Sequence, residues 1–342
     1  MSERVLTVRE LNRALLARQF LLERKRLSPR RVLEQIGPQH AQGVESTYVN
    51  LWSRIEGFRR EQLTRALERG AVVRSRPLRS TLHLTSARDY ALFHGAIRRG
   101  RAEWWQRTTK HRYDGKTIAR AERALSRAGK APRPFSELVD AVGGDRFLAN
   151  LAAIRLGVAT VAPAGTWGYH GFEDYVVGPP PADRDEGMRR LVRCYFGAFG
   201  PATIDDLCFW ASLGKNEAKP FVEELELKRF RDEKGRLLLD LPHAPLVPED
   251  TPAPPRFLLR WDNLYLGHAS GERDRIVPTA FRKRVYTVNT VMPATFLVDG
   301  FVAGTWSHER GRVRVEPWRR LTRAERTEVE GESERLADFL SG

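Results

Sequence analysis

The chain has two cysteines and three methionines in 342 residues. So few thiols exclude a disulfide framework and point to a reducing compartment. Cys194 and Cys208 lie in helical patterns and cannot alone make a four-ligand zinc site. No histidine pair stands near them at metal-ligand spacing, so both read as core residues. No apolar run reaches transmembrane length, and Met1-Ser2-Glu3-Arg4 holds no apolar signal core; a cytoplasmic location is expected. Also missing are a P-loop, a dinucleotide glycine fingerprint, a zinc-deaminase or metalloprotease histidine pattern, and a Gly-x-Ser-x-Gly elbow. Acidic residues are in short supply too, 43 against 58 Lys plus Arg, for a net charge of +15.

What is present fits a folded protein of two or three compact units, with an ordinary hydrophobic content of 41%. Arginine carries most of the positive excess, and its fork suits phosphate oxygens and base edges better than lysine does. Nucleic acid is therefore the leading partner. The bland alternative is a solvated surface from an arginine-rich proteome. An anionic membrane fits less well, because no amphipathic helix stands apart from the core patterns.

Residues 1–110 read as helices followed by a hairpin. Leu11, Leu15, Leu16, Phe20 and Leu21 keep a helical rhythm over residues 5–22, and Ser28-Pro29 opens a second helix. Two further helices, over 48–55 and around Leu63 and Leu67, precede extended runs at Val72-Val73-Arg74 and Ser80-Thr81-Leu82-His83-Leu84. This is the order of a winged helix-turn-helix. Residues 111–185 repeat it, with wing strands expected at 158–161 and 166–169. Residues 186–255 repeat it again, with two alternating strands in 230–241. Leu138 and Leu207 hold equivalent places in the second and third units. After a Pro-rich connector, 256–342 reads as a small antiparallel sheet with an Asp299-Gly300 hairpin turn and a closing helix. The expected fold class is mainly α with small β wings (α+β): three tandem winged helices plus a C-terminal β-unit.

The segment Gly37-Pro38-Gln39-His40-Ala41-Gln42 places two water-holding side chains, His40 and Gln42, on either side of a small residue. Downstream stand Leu51-Trp52-Ser53-Arg54 and Arg79-Ser80-Thr81-Leu82-His83. Further on come Trp261-Asp262-Asn263-Leu264-Tyr265-Leu266 and Val298-Asp299-Gly300-Phe301-Val302-Ala303-Gly304-Thr305-Trp306. In their order and spacing these segments resemble the AlkZ family of winged-helix DNA glycosylases over most of the chain. The family's motif is Gln-apolar-Gln; here His40-Ala41-Gln42 resembles a His-apolar-Gln branch. The resemblance implies three winged helices around a concave DNA channel, release of alkylated purines from double-stranded DNA, and neither metal nor cofactor. A monomer, nucleoid-associated when acting, is expected.

An N7-alkylguanine is already cationic and leaves as a neutral base, so strong protonation of the leaving group is unnecessary. What remains is to stabilise the sugar's oxocarbenium-like state and to place a water. Gln42 can accept from that water and donate to sugar or phosphate. A neutral His40 can act as its general base. The competing reading is that Gln39, His40 and Gln42 merely cap the helix that Gly37-Pro38 ends. His83 faces either the channel beside Arg79 or the inside of a sheet. Asp262 can stabilise a sugar cation and Asn263 a phosphate or base edge, or the two form a plain turn. Trp104-Trp105 offers a stacking surface or one buried ring. Gln39, Arg54, Arg79, Thr81, His83, Asp262 and Asn263 are thus the expected DNA- or lesion-binding set, with His40 and Gln42 catalytic. Lysines are few and none falls in a motif, so a Schiff-base lyase step is not indicated.

Two other functions compete. A winged-helix transcription regulator binds DNA without chemistry, but it usually has one reading head and a dimerisation helix, against three heads here. A protein sequestering a DNA-reactive small molecule would bind free drug without DNA.

Overall fold

The computed structural model describes residues 3–79, 81–287 and 292–342. Ser80, part of the Arg79-Ser80-Thr81 segment, lies outside them. The first unit holds helices Val8–Arg18, Pro29–Ile36, Val44–Trp52 and Arg60–Glu68, then a hairpin of strands Val72–Leu78 and Thr81–Ser86. A 23-residue helix, Ala87–Thr109, follows. The second unit holds helices Gly115–Ala128, Phe135–Ala141 and Arg146–Leu156 with strands Val158–Thr160 and Asp174–Val177; the third holds Arg184–Phe199, Ile204–Ala211 and Lys215–Glu223 with Lys228–Asp232 and Leu237–Asp240. Strands Arg256–Leu258, Thr295–Val298, Phe301–Glu309 and Arg312–Pro317 form an antiparallel sheet, and helix Arg323–Ser341 closes the chain.

The wings of the first two units join in one sheet. Strand Val72–Leu78 pairs antiparallel with Val158–Thr160, Arg74 opposite Thr160 and Ser75 opposite Ala159. On the other side Gln39–His40 pairs with Thr81–Ser86, Gln39 opposite Leu84 and His40 opposite His83; with Arg133–Pro134 paired to Asp174–Val177 at the far edge, the sheet has six strands among the described residues. The second unit has a small core of its own around Leu125, Leu138, Leu148 and Ala152. The first unit shares one core with the C-terminal sheet, in which Val32, Tyr48, Val49, Phe257, Phe296 and Trp306 meet. The third shares another with both, through Leu15, Leu78, Phe93, Tyr195, Phe199, Leu258 and Leu264.

Two local expectations change. Val5–Leu6 is not the start of the first helix but a strand parallel to Lys228–Asp232; Thr7 then opens the helix with a capping box to Glu10. Residues 166–169 are turn, not wing strand, and the second strand lies at Asp174–Val177. Gly165 and Gly168 both take positive φ there, which breaks an extended run. Trp167 is drawn instead to the first unit: its amide donates to the Tyr48 hydroxyl at 3.1 Å, and the Arg60 guanidinium covers its ring at 4.0 Å.

The long helix Ala87–Thr109 crosses Arg184–Phe199 at two glycines. A Cβ on Gly187 would lie 2.2 Å from the Leu92 carbonyl oxygen, and one on Gly95 would lie 2.3 Å from that of Ala182. This crossing joins the first unit to the third. Gly187→Ala is expected to destabilise by about 1–3 kcal/mol through overpacking. Gly331→Ala, in the closing helix with open space around it, should stabilise by roughly 0.5–1 kcal/mol. Thermal melts of the two variants check this; equal melting points would contradict the close crossing.

Candidate active site

The His40-Ala41-Gln42 segment is fixed by its backbone, and its two polar side chains take no part in holding it. Helix Pro29–Ile36 ends at Gly37 with φ 83°. Its last carbonyl, that of Ile36, accepts from the Gln19 side chain at 3.1 Å and from Asn263 at 3.2 Å. The helix end is thus satisfied by other groups, and the capping role considered for Gln39, His40 and Gln42 falls away. The Ala41 amide donates to the Leu82 carbonyl at 2.7 Å, and its carbonyl accepts from Arg74 Nε at 3.1 Å. Arg74 is buried and held in turn by Glu173 at 2.6 Å. Gln42 is exposed where the chain leaves the sheet. Among the described residues no hydrogen bond is made by the His40 ring or the Gln42 amide.

His40 is 5% exposed and flanked by two rings. His83, directly opposite across the strand pair, meets it edge-on at 5.2 Å; Trp261 lies tilted over it at 5.5 Å. His83 donates from Nδ1 to the Thr81 carbonyl at 2.8 Å, which leaves Nε2 as the acceptor. His83 is buried, bonded to backbone as the sheet-packing reading has it, and its ring faces His40. Thr81 is half-buried, its hydroxyl 3.4 Å from the Leu78 carbonyl. Arg79 is half-buried beside them in a left-handed conformation, φ 49°.

Three expected contact residues, Arg54, Asp262 and Asn263, are instead engaged in internal bonds. Arg54 and Asp262 are fully buried and pair through two bonds of 2.8 and 2.7 Å. Arg54 also donates to the Asn50 carbonyl at 2.7 Å, and Asp262 caps the short helix Asn263–Leu266. Neither can reach DNA or a sugar cation, because each satisfies the other's charge. Asn263 is spent on Ile36, as above. Gln39 is buried on the strand face opposite His40, where its amide finds no protein partner. The sequence reading overlooked Trp261 itself. Its place in the Trp-Asp-Asn segment was visible, but only the Arg54–Asp262 pair and a φ of 57° at Trp261 swing its ring to His40. Trp104 is exposed, while Trp105 is half-buried and donates to the Phe147 carbonyl at 3.2 Å.

Electrostatics keep the histidines neutral. Burial, and after it the Arg79 charge, push the His40 imidazole down to about 4. Burial also holds His83 well below its ordinary value, with His40 and Arg79 adding to the effect. A neutral His40 can accept a proton or hold a water throughout the physiological range, though as a weaker base than free imidazole. No lysine stands among these residues. Among the described residues no group of three or more His, Cys, Asp or Glu side chains is placed to hold a metal, and no helix is long and apolar enough to cross a membrane.

The sequence matches the family described as DNA glycosylase AlkZ-like over residues 33–339. The chain belongs to the AlkZ-like DNA glycosylase family. Its fold is similar to that of the Streptomyces sahachiroi DNA glycosylase AlkZ, with a TM-score of 0.81 and 17% identity, covering 97% of this chain and 96% of that one. No curated protein matches the sequence significantly. For an AlkZ-like chain this likeness at low identity shows a shared fold, three winged helices and a C-terminal sheet included.

Two outcomes follow from these buried charges. Arg54→Ala should destabilise by about 3–5 kcal/mol, the cost of leaving a buried partner uncompensated. Denaturant unfolding should show that loss, while Arg54→Met/Asp262→Leu should recover part of it. Recovery of none of it would mean that the pair is needed for more than charge compensation. Separately, stability should fall with acid before any carboxylate titrates. Burial pushes His40 and His94 down to about 4 and His268 to about 3. In the unfolded chain they titrate near 6.5, so from about pH 6.5 to 4 the unfolded state binds more protons and loses less to acid than the folded one. Melting temperature should therefore drop from pH 7 to pH 5. A flat profile over that range would contradict neutral buried histidines.

Proposed function

We propose that the protein is a monofunctional DNA glycosylase that hydrolyses the N-glycosidic bond of cationic or bulky N-alkylated purines, the N7-alkylguanine type, in double-stranded DNA. The observation that carries this reading is a buried, neutral His40 next to an exposed Gln42 whose side chains the protein leaves uncommitted. A cationic base departs without being protonated. The site then has only to hold a water against the oxocarbenium face, and two neutral acceptors do that without adding a positive charge. A strongly basic histidine would protonate and repel the cationic nucleoside. Family membership supports base excision from DNA, and the absence of a lysine from the site supports plain hydrolysis over a lyase step. Repair of alkylation damage, or self-resistance to a genotoxin, acting as a monomer, is the role this chemistry fits.

The test is single-turnover excision from a duplex carrying one N7-methylguanine, read as alkali-labile abasic sites. His40→Ala and Gln42→Ala should each slow excision by roughly 10²–10⁴-fold, with duplex affinity nearly unchanged. The double variant should lose less than the product of the two, since both hold one water. The sequence alone places an acid limb near the ordinary imidazole value, about 6–7. Burial of His40 moves it: wild-type excision should stay flat from pH 8 to 5.5 and fall only toward about 4. His40→Gln should keep partial activity and lack that limb. Full activity in both alanine variants, or tight binding with no excision by wild type across several adducts, would refute the assignment.

A further inference from the structure

Three parts of the chain converge on one half-buried aromatic ring, and one of them, Arg79, also acts on His40. Phe209 lies in helix Ile204–Ala211 of the third unit and is half-buried. The Arg79 guanidinium, from the turn of the first wing, lies 5.1 Å from its ring centre. The Arg273 guanidinium, from the 3-10 helix Ser270–Arg275, lies 5.3 Å from the same centre and 4.2 Å over the ring of Tyr286. The two cations are close enough that Arg79 feels the other: burial and then the Arg273 charge lower the Arg79 group from its ordinary value.

Neither makes an ion pair among the described residues. The carboxylate next to Arg273, Asp274, is engaged by Lys234 at 2.5 Å and approached by Arg282 at 3.7 Å. Asp206 faces inward, accepting from Thr203 and from the Ala269 amide. Asp205 is exposed and pairs with Lys215 at 2.9 Å. Arg273 has one anchoring bond, from Nε to the His268 carbonyl at 3.3 Å, which leaves its terminal nitrogens to point elsewhere. Arg79 is held in a left-handed backbone conformation, φ 49°. Such strain in a non-glycine residue persists only where surroundings enforce it, and it gathers at functional sites. Two like charges on one aromatic ring, with no carboxylate paired to either among the described residues, are stabilised when an anion lies between them.

We propose that Arg79 and Arg273, mounted on Phe209 and Tyr286, clamp one phosphodiester of the lesion strand next to the nucleotide being excised. The clamp deepens the glycosylase reading and rests on it for the identity of the anion. Its consequence for that site is specific. Unneutralised, the two arginines would repel a cationic alkylpurine from His40. With a phosphate between them, that field is cancelled and the sugar is held in register with the water that His40 and Gln42 carry. Arg79 and Arg273 are positioning residues; the geometry gives them no part in bond breaking.

The experiment uses the full chain and a short duplex with one N7-methylguanine, and compares it with duplexes in which a neutral methylphosphonate replaces each lesion-strand phosphate in turn. Binding is measured against salt. Each released phosphate contact lowers the log–log slope by about 0.9. Arg79→Gln and Arg273→Gln should each lose about one contact, and the double variant no more than about one in total, because both hold the same phosphate. One methylphosphonate position should weaken wild type by a similar amount and cost the double variant nothing further. Arg273→Lys should retain the slope, and Phe209→Leu, which keeps the packing but removes the ring face, should lose part of it; melting temperatures establish that the variants are folded. Unchanged slopes in folded Arg79→Gln and Arg273→Gln would overturn the clamp, as would losses that simply add to those of every methylphosphonate. Excision is read on the same duplexes. Coupling between arginines and one phosphate with no base released keeps the clamp and sinks the glycosylase reading; normal excision with unchanged slopes does the reverse.

Discussion

The buried pair of Arg54 and Asp262 is the interaction on which the site depends. Arg54 ends the turn after helix Val44–Trp52, the helix that follows His40-Ala41-Gln42. Asp262 lies more than two hundred residues later, in the C-terminal part. Their two bonds, with the Arg54 bond to the Asn50 carbonyl and the Asn50 side chain accepting from the Leu259 amide at 2.9 Å, tie those regions into one body. Two fully buried charges are costly to desolvate, and here the two terminal nitrogens of Arg54 are matched by Asp262 and the Asn50 carbonyl, while Arg54 Nε finds no protein partner. The pair adds little net stability over an apolar equivalent; what it adds is a fixed register between the start and the end of the chain.

That register sets the site's surroundings. With Asp262 fixed, Trp261 adopts its left-handed conformation and lays its ring on His40. Asn263, one residue further, closes the end of the helix that precedes the motif. The closing helix returns to the same region: Phe339 stacks near Trp52, Phe58 and Trp167, and Arg60 donates to the Phe339 carbonyl. The N-terminal helix makes the matching connection on the other side, through Arg18 to Asp240 and Arg13 to Asp299. A chain interlocked at both ends holds a two-residue strand, Gln39–His40, that could not persist by itself.

The burial that this interlocking produces also sets the chemistry. His40 is surrounded by aromatic rings and an arginine rather than by carboxylates, so it stays neutral where most histidines begin to charge. The same feature makes the fold acid-sensitive. A neutral His40 next to the charge of Arg79 fits the proposed substrate, which brings its own negative charge on the backbone. On the proposed reading the division of labour is that of nucleic-acid enzymes in general, in which phosphate contacts position and a few uncharged groups at the centre act.

Much of this was legible in the residues. Helical rhythm at Leu11, Leu15 and Leu16, the Pro29 start, the Asp299-Gly300 turn and the three-fold recurrence of helices and hairpin determined the elements and the fold class, because period and turn chemistry are local properties. His40 and Gln42 stood out for the same reason: two polar groups around a small residue are a local pattern. The fates of Arg54, Asp262 and Asn263 were not legible. A buried arginine and one that grips DNA are the same letter, and partners two hundred residues apart leave no mark in either segment. The arrival of Trp261 over His40, the joining of two wings into one sheet and the meeting of Arg79 with Arg273 on Phe209 were decided by tertiary packing alone. Those contacts depend on which surfaces the cores bring together, and burial, which sets both pairing and proton affinity, is a property of the folded whole.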